Sequence, residues 1–220
     1  MPNNVVFIRH GQSMGNVDWT MYQRPDSAVC LTSKGVMQAL HAADELSAYM
    51  DEGKLKWRWH GLHAFSSEYS RAKQTARICL DAMGMLHVKP WVIPALNERR
   101  WGNYDSEDRS VNKKNPEWRP GEDGETLLET ADRFAQWFGT VENLLSDKDI
   151  VMFCHGELMM AAQWYLLTDH TSMPDITTLY RMPSSNAVPV ILLKDRESGQ
   201  YIRSPMTFTK YDPETEDVVR

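Results

Sequence analysis

The chain has 220 residues, 42% of them hydrophobic and 25% charged, with a formal net charge of -6. These are ordinary values for a globular protein long enough to bury one core, and they exclude collagen-like, coiled-coil and globally disordered classes. The acidic balance lacks the basic footprint of a nucleic-acid binder, so an anionic ligand would need a local cluster of Arg, Lys or His.

Cys30, Cys79 and Cys154 are odd in number and widely spaced, which argues against a disulfide framework or a structural zinc site and for a reducing compartment. Only the short apolar run Val5 to Ile8 precedes Arg9, too few residues for a signal peptide, and Leu158 to Leu167 is far too short for a membrane span. The expectation is a cytoplasmic protein of one domain, residues 1–220, with a loose acidic tail from Asp212 and no membrane or nucleic-acid partner.

In chain order, "VVFI" reads as a strand buried on both faces, ending at the turn "RHG". "LTSKGVMQALHAADELSAYM" predicts a helix capped by Thr32, with Val36, Leu40, Ala43, Leu46 and Met50 inward. "HAFSSEYSRAKQTARICLDAMG" predicts a strand ending near Ser66, then a helix capped by Ser70 with Ala72, Ala76, Cys79, Leu80 and Met83 inward. Pro90 and Pro94 confine "VKPWVIPAL" to a sheet edge. "ETLLETADRFAQWFGTVENLLS" predicts an amphipathic helix burying Leu128, Ala131, Phe134, Phe138, Val141 and Leu145. "DIVMFCHGELMMAAQWYLL" is a buried strand breaking at His155-Gly156 into an apolar helix, and "AVPVILLKD" is a late strand. Such alternation predicts an α/β protein, a three-layer α/β/α sandwich on a mostly parallel sheet. Two long irregular segments, Val17 to Cys30 and Asn103 to Glu122, are placed to carry specificity.

Arg9-His10, Arg71 and His155 each follow a predicted strand or open the next helix, where an open α/β sheet binds ligands and helix N-termini favour anions. Two Arg forks and two imidazoles converging there would form a phosphate pocket: Arg matches phosphate oxygens, and a neutral imidazole is a nucleophile near pH 7. A leaving alcohol still needs a proton, and Glu98 in "ALNERRWGNYD" is the candidate donor; the competing reading is a solvated carboxylate paired with Arg99 or Arg100.

"RHGQSMGN", "LTSKGVMQA", "SSEYSRAKQTA", "LNERRWG", "DGETLLETADRF" and "VMFCHGE" resemble, in order and spacing, the motifs of the histidine phosphatase superfamily, also called phosphoglycerate mutase-like. That resemblance implies that His10 is phosphorylated in turnover, that Arg9, Arg71 and His155 complete the pocket, and that Glu98 is the acid/base. It also implies phosphate contact for Asn16 and substrate contact for Ser13 and Trp101. The substrate implied is a small phosphate monoester, with no metal or cofactor, and a homodimer is compatible with the reading.

Hydrolysis is favoured over mutase-type transfer because only Asn103 to Asp123 separates the "LNERRWG" and "DGETLLE" segments, where cofactor-dependent mutases usually carry a long insertion. A non-catalytic phosphate-binding protein on the same fold is a third reading. Arg24, Lys113, Lys114 and Arg119 are candidates for a second anionic group, and Trp19 joins Trp101 as a pocket aromatic. Cys154 lacks the Arg that a Cys-x5-Arg phosphate loop needs, since Met160 stands there. His60 and His63, three apart on a strand, point to opposite faces and suggest no metal.

Overall fold

The computed structural model describes residues 1–51, 62–102, 117–168, 179 and 181–211. Trp57, Trp59, His60, Lys113, Lys114 and the acidic tail lie outside the described residues, as does most of the second irregular segment.

Six strands form one sheet: β1 (Asn4–Arg9), β2 (Leu62–Ser66), β3 (Trp91–Val92), β4 (Asp149–Cys154), β5 (Pro189–Lys194) and β6 (Tyr201–Arg203), in the order β3-β2-β4-β1-β5-β6. β1 to β4 are parallel, while β5 and β6 pair antiparallel at the other edge. The short β6 carries no sequence signal of its own.

Alternation along β1 divides the core. Val6 and Ile8 join the apolar cluster that includes Ala39, Ala43 and Leu46 of helix α2 (Ser33–Asp51) and Ala76, Cys79 and Leu80 of α3 (Ser70–Ala82). Val5 and Phe7 face the opposite cluster, with Phe134 and Phe138 of α4 (Leu127–Val141) and Leu158 and Ala162 of α5 (Gly156–Leu167). Both faces of the sheet are covered, which is why β1 and β4 read as unbroken apolar runs. The short helix α1 (Met14–Val17) and two 3-10 turns, Trp19–Gln23 and Asp26–Ala28, organise the first irregular segment.

Several predicted details shift. In α2 the buried stripe is Gly35, Ala39, Ala42, Ala43 and Leu46: Ala43 and Leu46 are as expected, while Gly35 and Ala39 are buried in place of Val36 and Leu40. Small residues line it because α2 sits close to the turn after β1: a Cβ on Gly35 would lie 2.0 Å from the Gln12 carbonyl oxygen. Thr32 accepts from the Gly35 N–H at 3.1 Å, as expected of a cap. In α4 a capping box between Thr126 and Glu129 starts the helix at Leu127, so Leu127 rather than Leu128 is buried with Ala131, Phe134 and Phe138. Ser70 does not cap α3. Its N–H and hydroxyl both donate to Asp26 Oδ2, at 2.8 and 2.7 Å, so the cap comes from a loop 44 residues earlier.

Candidate active site

The chain order visits β1, β2 and β3 before β4 inserts between β1 and β2, so β1 and β4 end side by side as neighbouring parallel strands. That crevice at their carboxyl ends is where the predicted residues meet. The His10 N–H donates to the Cys154 carbonyl at 3.0 Å, which places the turns carrying His10 and His155 together.

His10 is buried, and its Nδ1 lies 2.7 Å from the Gly11 carbonyl oxygen. A carbonyl only accepts, so Nδ1 bears the proton and Nε2 presents a lone pair. Arg71 Nε donates to that Nε2 at 3.2 Å. Burial first, then the Arg71 and Arg9 guanidiniums, hold the His10 pKa well below the usual imidazole value, which keeps the ring neutral at pH 7. Burial, Arg71, His10 and Arg9 do the same to His155. The two rings meet edge to face with centroids 5.1 Å apart.

Arg9 Nη1 donates to the Ser184 carbonyl at 3.0 Å, while its buried Nε has no partner. Gly156, at the first position of α5, lets that guanidinium approach: a Cβ there would stand 3.2 Å from Arg9 Cζ. Arg71 is nearly buried, its guanidinium over the rings of Tyr69 and Tyr22 at 4.6 and 5.2 Å and its Nη1 3.7 Å from Asp26 Oδ1.

Glu98 Oε1 accepts from the backbone N–H groups of Arg99 (3.1 Å) and of Leu158 in the first turn of α5 (3.2 Å). The carboxylate is thus anchored by one oxygen at a helix N-terminus. It is not paired with its neighbours: Arg99 lies 3.7 Å from Glu157, and Arg100 lies 3.4 Å from Glu125. Arg133 of α4 holds the backbone beneath Glu98. It grips Glu125 with two 2.9 Å bonds and donates to the carbonyls of Ala95 and Asn97 at 2.8 and 3.1 Å. Burial would raise the Glu125 pKa, but the bonds from Arg133 and from the Arg100 N–H hold it below its usual value.

Arg9, His10, Asn16, Arg24, Arg71 and Glu98 line a cavity of about 1130 Å³, while His155 is fully buried against the His10 ring and does not reach the lining. Trp19, Tyr22, Tyr69 and Trp101 supply its aromatic wall. Ser13 is the correction: fully buried, it does not line the cavity, and its N–H and hydroxyl instead donate to Asn16 Oδ1 at 3.0 and 3.2 Å. A serine at the first cap of α1 faces its own helix end, so it orients Asn16. Arg119 likewise turns to Glu129 and the Gly124 carbonyl. Cys154 is buried and its thiol pKa is pushed far up by burial, so no thiolate stands at the strand end.

Sequence reasoning missed Asp26, Tyr69, Arg99, Ser67 and Asn97. Ser67 and Asn97 lie inside the "SSEYSRAKQTA" and "LNERRWG" segments, and that adjacency was the available signal. Arg99 is fully buried between Trp101 and Trp118, its Cζ 5.5 and 5.2 Å from their rings. Among the described residues there is no group of His, Cys, Asp and Glu arranged to hold a metal ion, and no helix long and apolar enough to cross a membrane.

Comparison with known proteins bears on this geometry. The sequence profile of the histidine phosphatase superfamily (branch 1) matches residues 5–193. A 2,3-bisphosphoglycerate-dependent phosphoglycerate mutase of Parvibaculum lavamentivorans is 30% identical over 217 residues, covering 90% of this chain and 94% of its own length. The phosphoglycerate mutase-like protein AT74 of Arabidopsis thaliana is 26% identical over 162 residues, which are 68% of this chain and 49% of that longer protein. Among solved structures, a mycobacterial glucosyl-3-phosphoglycerate phosphatase complexed with VO3 superposes with a TM-score of 0.72 at 21% identity, covering 94% of this chain and all of that one. A phosphoserine phosphatase mutant from Entamoeba histolytica in complex with phosphoserine gives a TM-score of 0.66 at 16% identity, covering 93% and 96%. The structures share the fold, the profile spans most of the chain, and the chain belongs to the histidine phosphatase superfamily.

Proposed function

We propose that this protein hydrolyses phosphate monoesters through a phosphohistidine on His10. The observation that carries the reading is the state of that ring: Nδ1–H is tied to the Gly11 carbonyl, and Nε2 is a neutral, buried lone pair under the Arg71 guanidinium. A phosphoryl group drawn in by Arg9, Arg71, His155 and Asn16 would exchange places with that Arg71 contact. Nε2 then forms the N–P bond as the ester oxygen leaves with a proton from Glu98. In the second half, Glu98 accepts a proton from water, whose oxygen attacks phosphorus and returns the imidazole. Phosphate monoesters hydrolyse extremely slowly unaided, so preorganised positive charge must supply most of the acceleration, with about 10²- to 10⁴-fold from Glu98.

The cavity favours an ester larger than a three-carbon acid. At about 1130 Å³ it exceeds the usual range of small-ligand pockets, roughly 300–1,000 Å³, and Trp19, Tyr22 and Trp101 offer faces to a ring or sugar. Arg24 and Arg100 on its lining supply cations for a second anionic group.

Mutase-type transfer is the second reading, favoured by the Parvibaculum relative. That relative, named a mutase, aligns over 94% of its length with 90% of this chain, so it is of nearly equal length. The short link after "LNERRWG" therefore does not by itself separate hydrolysis from transfer.

Rapid mixing with a radiolabelled phosphoester and quenching under conditions that preserve phosphohistidine should trap label on His10, and none in His10→Ala. Failure to label with any donor would remove the enzymatic reading. Release of inorganic phosphate from phosphoglycerate supports hydrolysis, and interconversion of its isomers supports transfer. Glu98→Gln should slow alkyl phosphates by about 10²-fold or more and nitrophenyl phosphate far less, because nitrophenolate leaves without a proton.

A further inference from the structure

The ring of His155 is held by a chain of hydrogen bonds whose directions are set at its far end. Asn97 Nδ2 donates to the Glu68 carboxylate at 2.7 Å, and Asn97 Oδ1 accepts from the Glu68 N–H at 3.0 Å. A carboxylate only accepts and a backbone N–H only donates, so the Asn97 amide has one possible orientation. The Ser67 hydroxyl must then give its proton to Asn97 Oδ1, at 2.8 Å. Its oxygen is left to accept, from the Tyr69 N–H at 3.2 Å and from His155 Nε2 at 2.8 Å. The His155 proton therefore resides on Nε2. In the neutral ring, Nδ1 is a bare lone pair, and it is buried without a partner.

This polarity is wrong for receiving a phosphoryl dianion, because a lone pair facing phosphate oxygens repels them. We propose that Glu68, Asn97 and Ser67 are positioning residues that make His155 take up one proton on phosphoryl binding: Nδ1 is protonated only when the anion arrives. The proton comes from solvent, or from the P–OH of a monoanionic ester, and the new Nδ1–H donates to a phosphoryl oxygen while Nε2–H stays on Ser67. This rests on the reading that the pocket holds a phosphoryl group at His10.

The groups around His155 suit such a switch. Burial, Arg71 of α3, His10 in the turn after β1, Arg9 of β1 and Arg133 of α4 all disfavour its charge. Tyr69 meets the ring edge at a centroid distance of 5.2 Å, its own pKa raised by burial so that it stays neutral. Glu98 and Glu157 lie on the α5 side, anchored to Leu158 N–H and facing Arg99 respectively. A bound dianion offsets two of the three guanidinium charges, which raises the proton affinity of His155.

Sulfate is the probe, because it is a tetrahedral dianion with no proton to contribute at neutral pH. The ¹⁵N spectrum of His155 in the free protein should show Nε2 protonated and Nδ1 bare, and both nitrogens protonated once sulfate is bound. Calorimetry of sulfate binding in buffers of different ionisation enthalpy should show an uptake about one proton smaller in His155→Gln than in the wild type. In Ser67→Ala, Nε2 loses its acceptor, so the neutral ring moves its proton to Nδ1. The fall of kcat/KM above its alkaline inflection, about tenfold per pH unit in the wild type, should flatten, and Ser67→Thr should restore it. A free protein with the proton on Nδ1, or sulfate bound with His155 still neutral, overturns the proposal and leaves the phosphate site standing. Failure of sulfate to bind overturns the site reading itself, and this proposal with it.

Discussion

At the scale of single residues, the site is governed by which atoms carry protons. His10 and His155 are both buried and held neutral, chiefly by burial. In the unfolded chain each imidazole regains its ordinary value near 6.5. Below about pH 6.5 the unfolded chain therefore binds protons that the folded protein refuses, and stability falls as pH falls towards the depressed native values. Each such histidine contributes a slope of at most about 1.4 kcal/mol per pH unit. Urea denaturation between pH 7.5 and 5.5, in buffers free of sulfate and phosphate, should show a shallower loss of stability on acidification for His10→Asn than for the wild type. Equal slopes would mean that His10 titrates normally in the folded protein.

At the scale of elements, the turn carrying His10 is placed by close backbone contact rather than by side chains. A Cβ at Gly11 would sit 2.3 Å from the Gly35 carbonyl oxygen, and one at Gly35 would sit 2.0 Å from that of Gln12. The turn after β1 thus rests directly on the first turn of α2, and the Gly11 carbonyl that orients His10 moves if α2 moves. Gly35→Ala should cost about 1–3 kcal/mol through this clash and lower kcat/KM at least tenfold. Gly139, in α4, has nothing within 4 Å of its missing Cβ. Gly139→Ala should stabilise by about 0.5–1 kcal/mol with activity unchanged, since only helix propensity differs. Thermal melts of the two variants, with a steady-state assay, separate close approach from generic glycine effects.

Across the whole molecule, the proposed anion pocket is assembled from both helical layers. Arg71 comes from α3 on one face of the sheet, and the α5 N-terminus with His155 and Glu98 comes from the other. An oxyanion bridging them binds only the folded chain, so it should raise stability, by about 2.7 kcal/mol at a hundredfold excess over Kd. Thermal shift with sulfate or phosphate should show this gain in the wild type and little of it in Arg71→Ala. A rise of the same size in the variant would place the anion elsewhere.

The chain's local pattern was sufficient for strands β1, β2, β4 and β5, the main helices, the edge position of Trp91–Val92 and the ionic residues at strand ends. Each of these depends on side chains close in sequence: alternation along β1, the apolar stripe of α3, Gly and His breaking β4. Residue type and position likewise pointed to His10, Arg9, Arg71, Glu98 and His155, because strand ends are where an open sheet exposes backbone donors. Other features arise only when distant segments pack. Asp26 caps α3 from 44 residues away, Ser13 turns inward to Asn16, and Arg99 disappears between two tryptophans. The antiparallel β5 and β6 and the path from Glu68 through Asn97 and Ser67 to His155 are of the same kind. Periodicity records which side of an element is apolar, whereas the direction of a hydrogen bond depends on the one partner that folding brings within 3 Å. The location of the proposed phosphate pocket was therefore written along the chain, and the protonation of its histidines was decided by the packed structure.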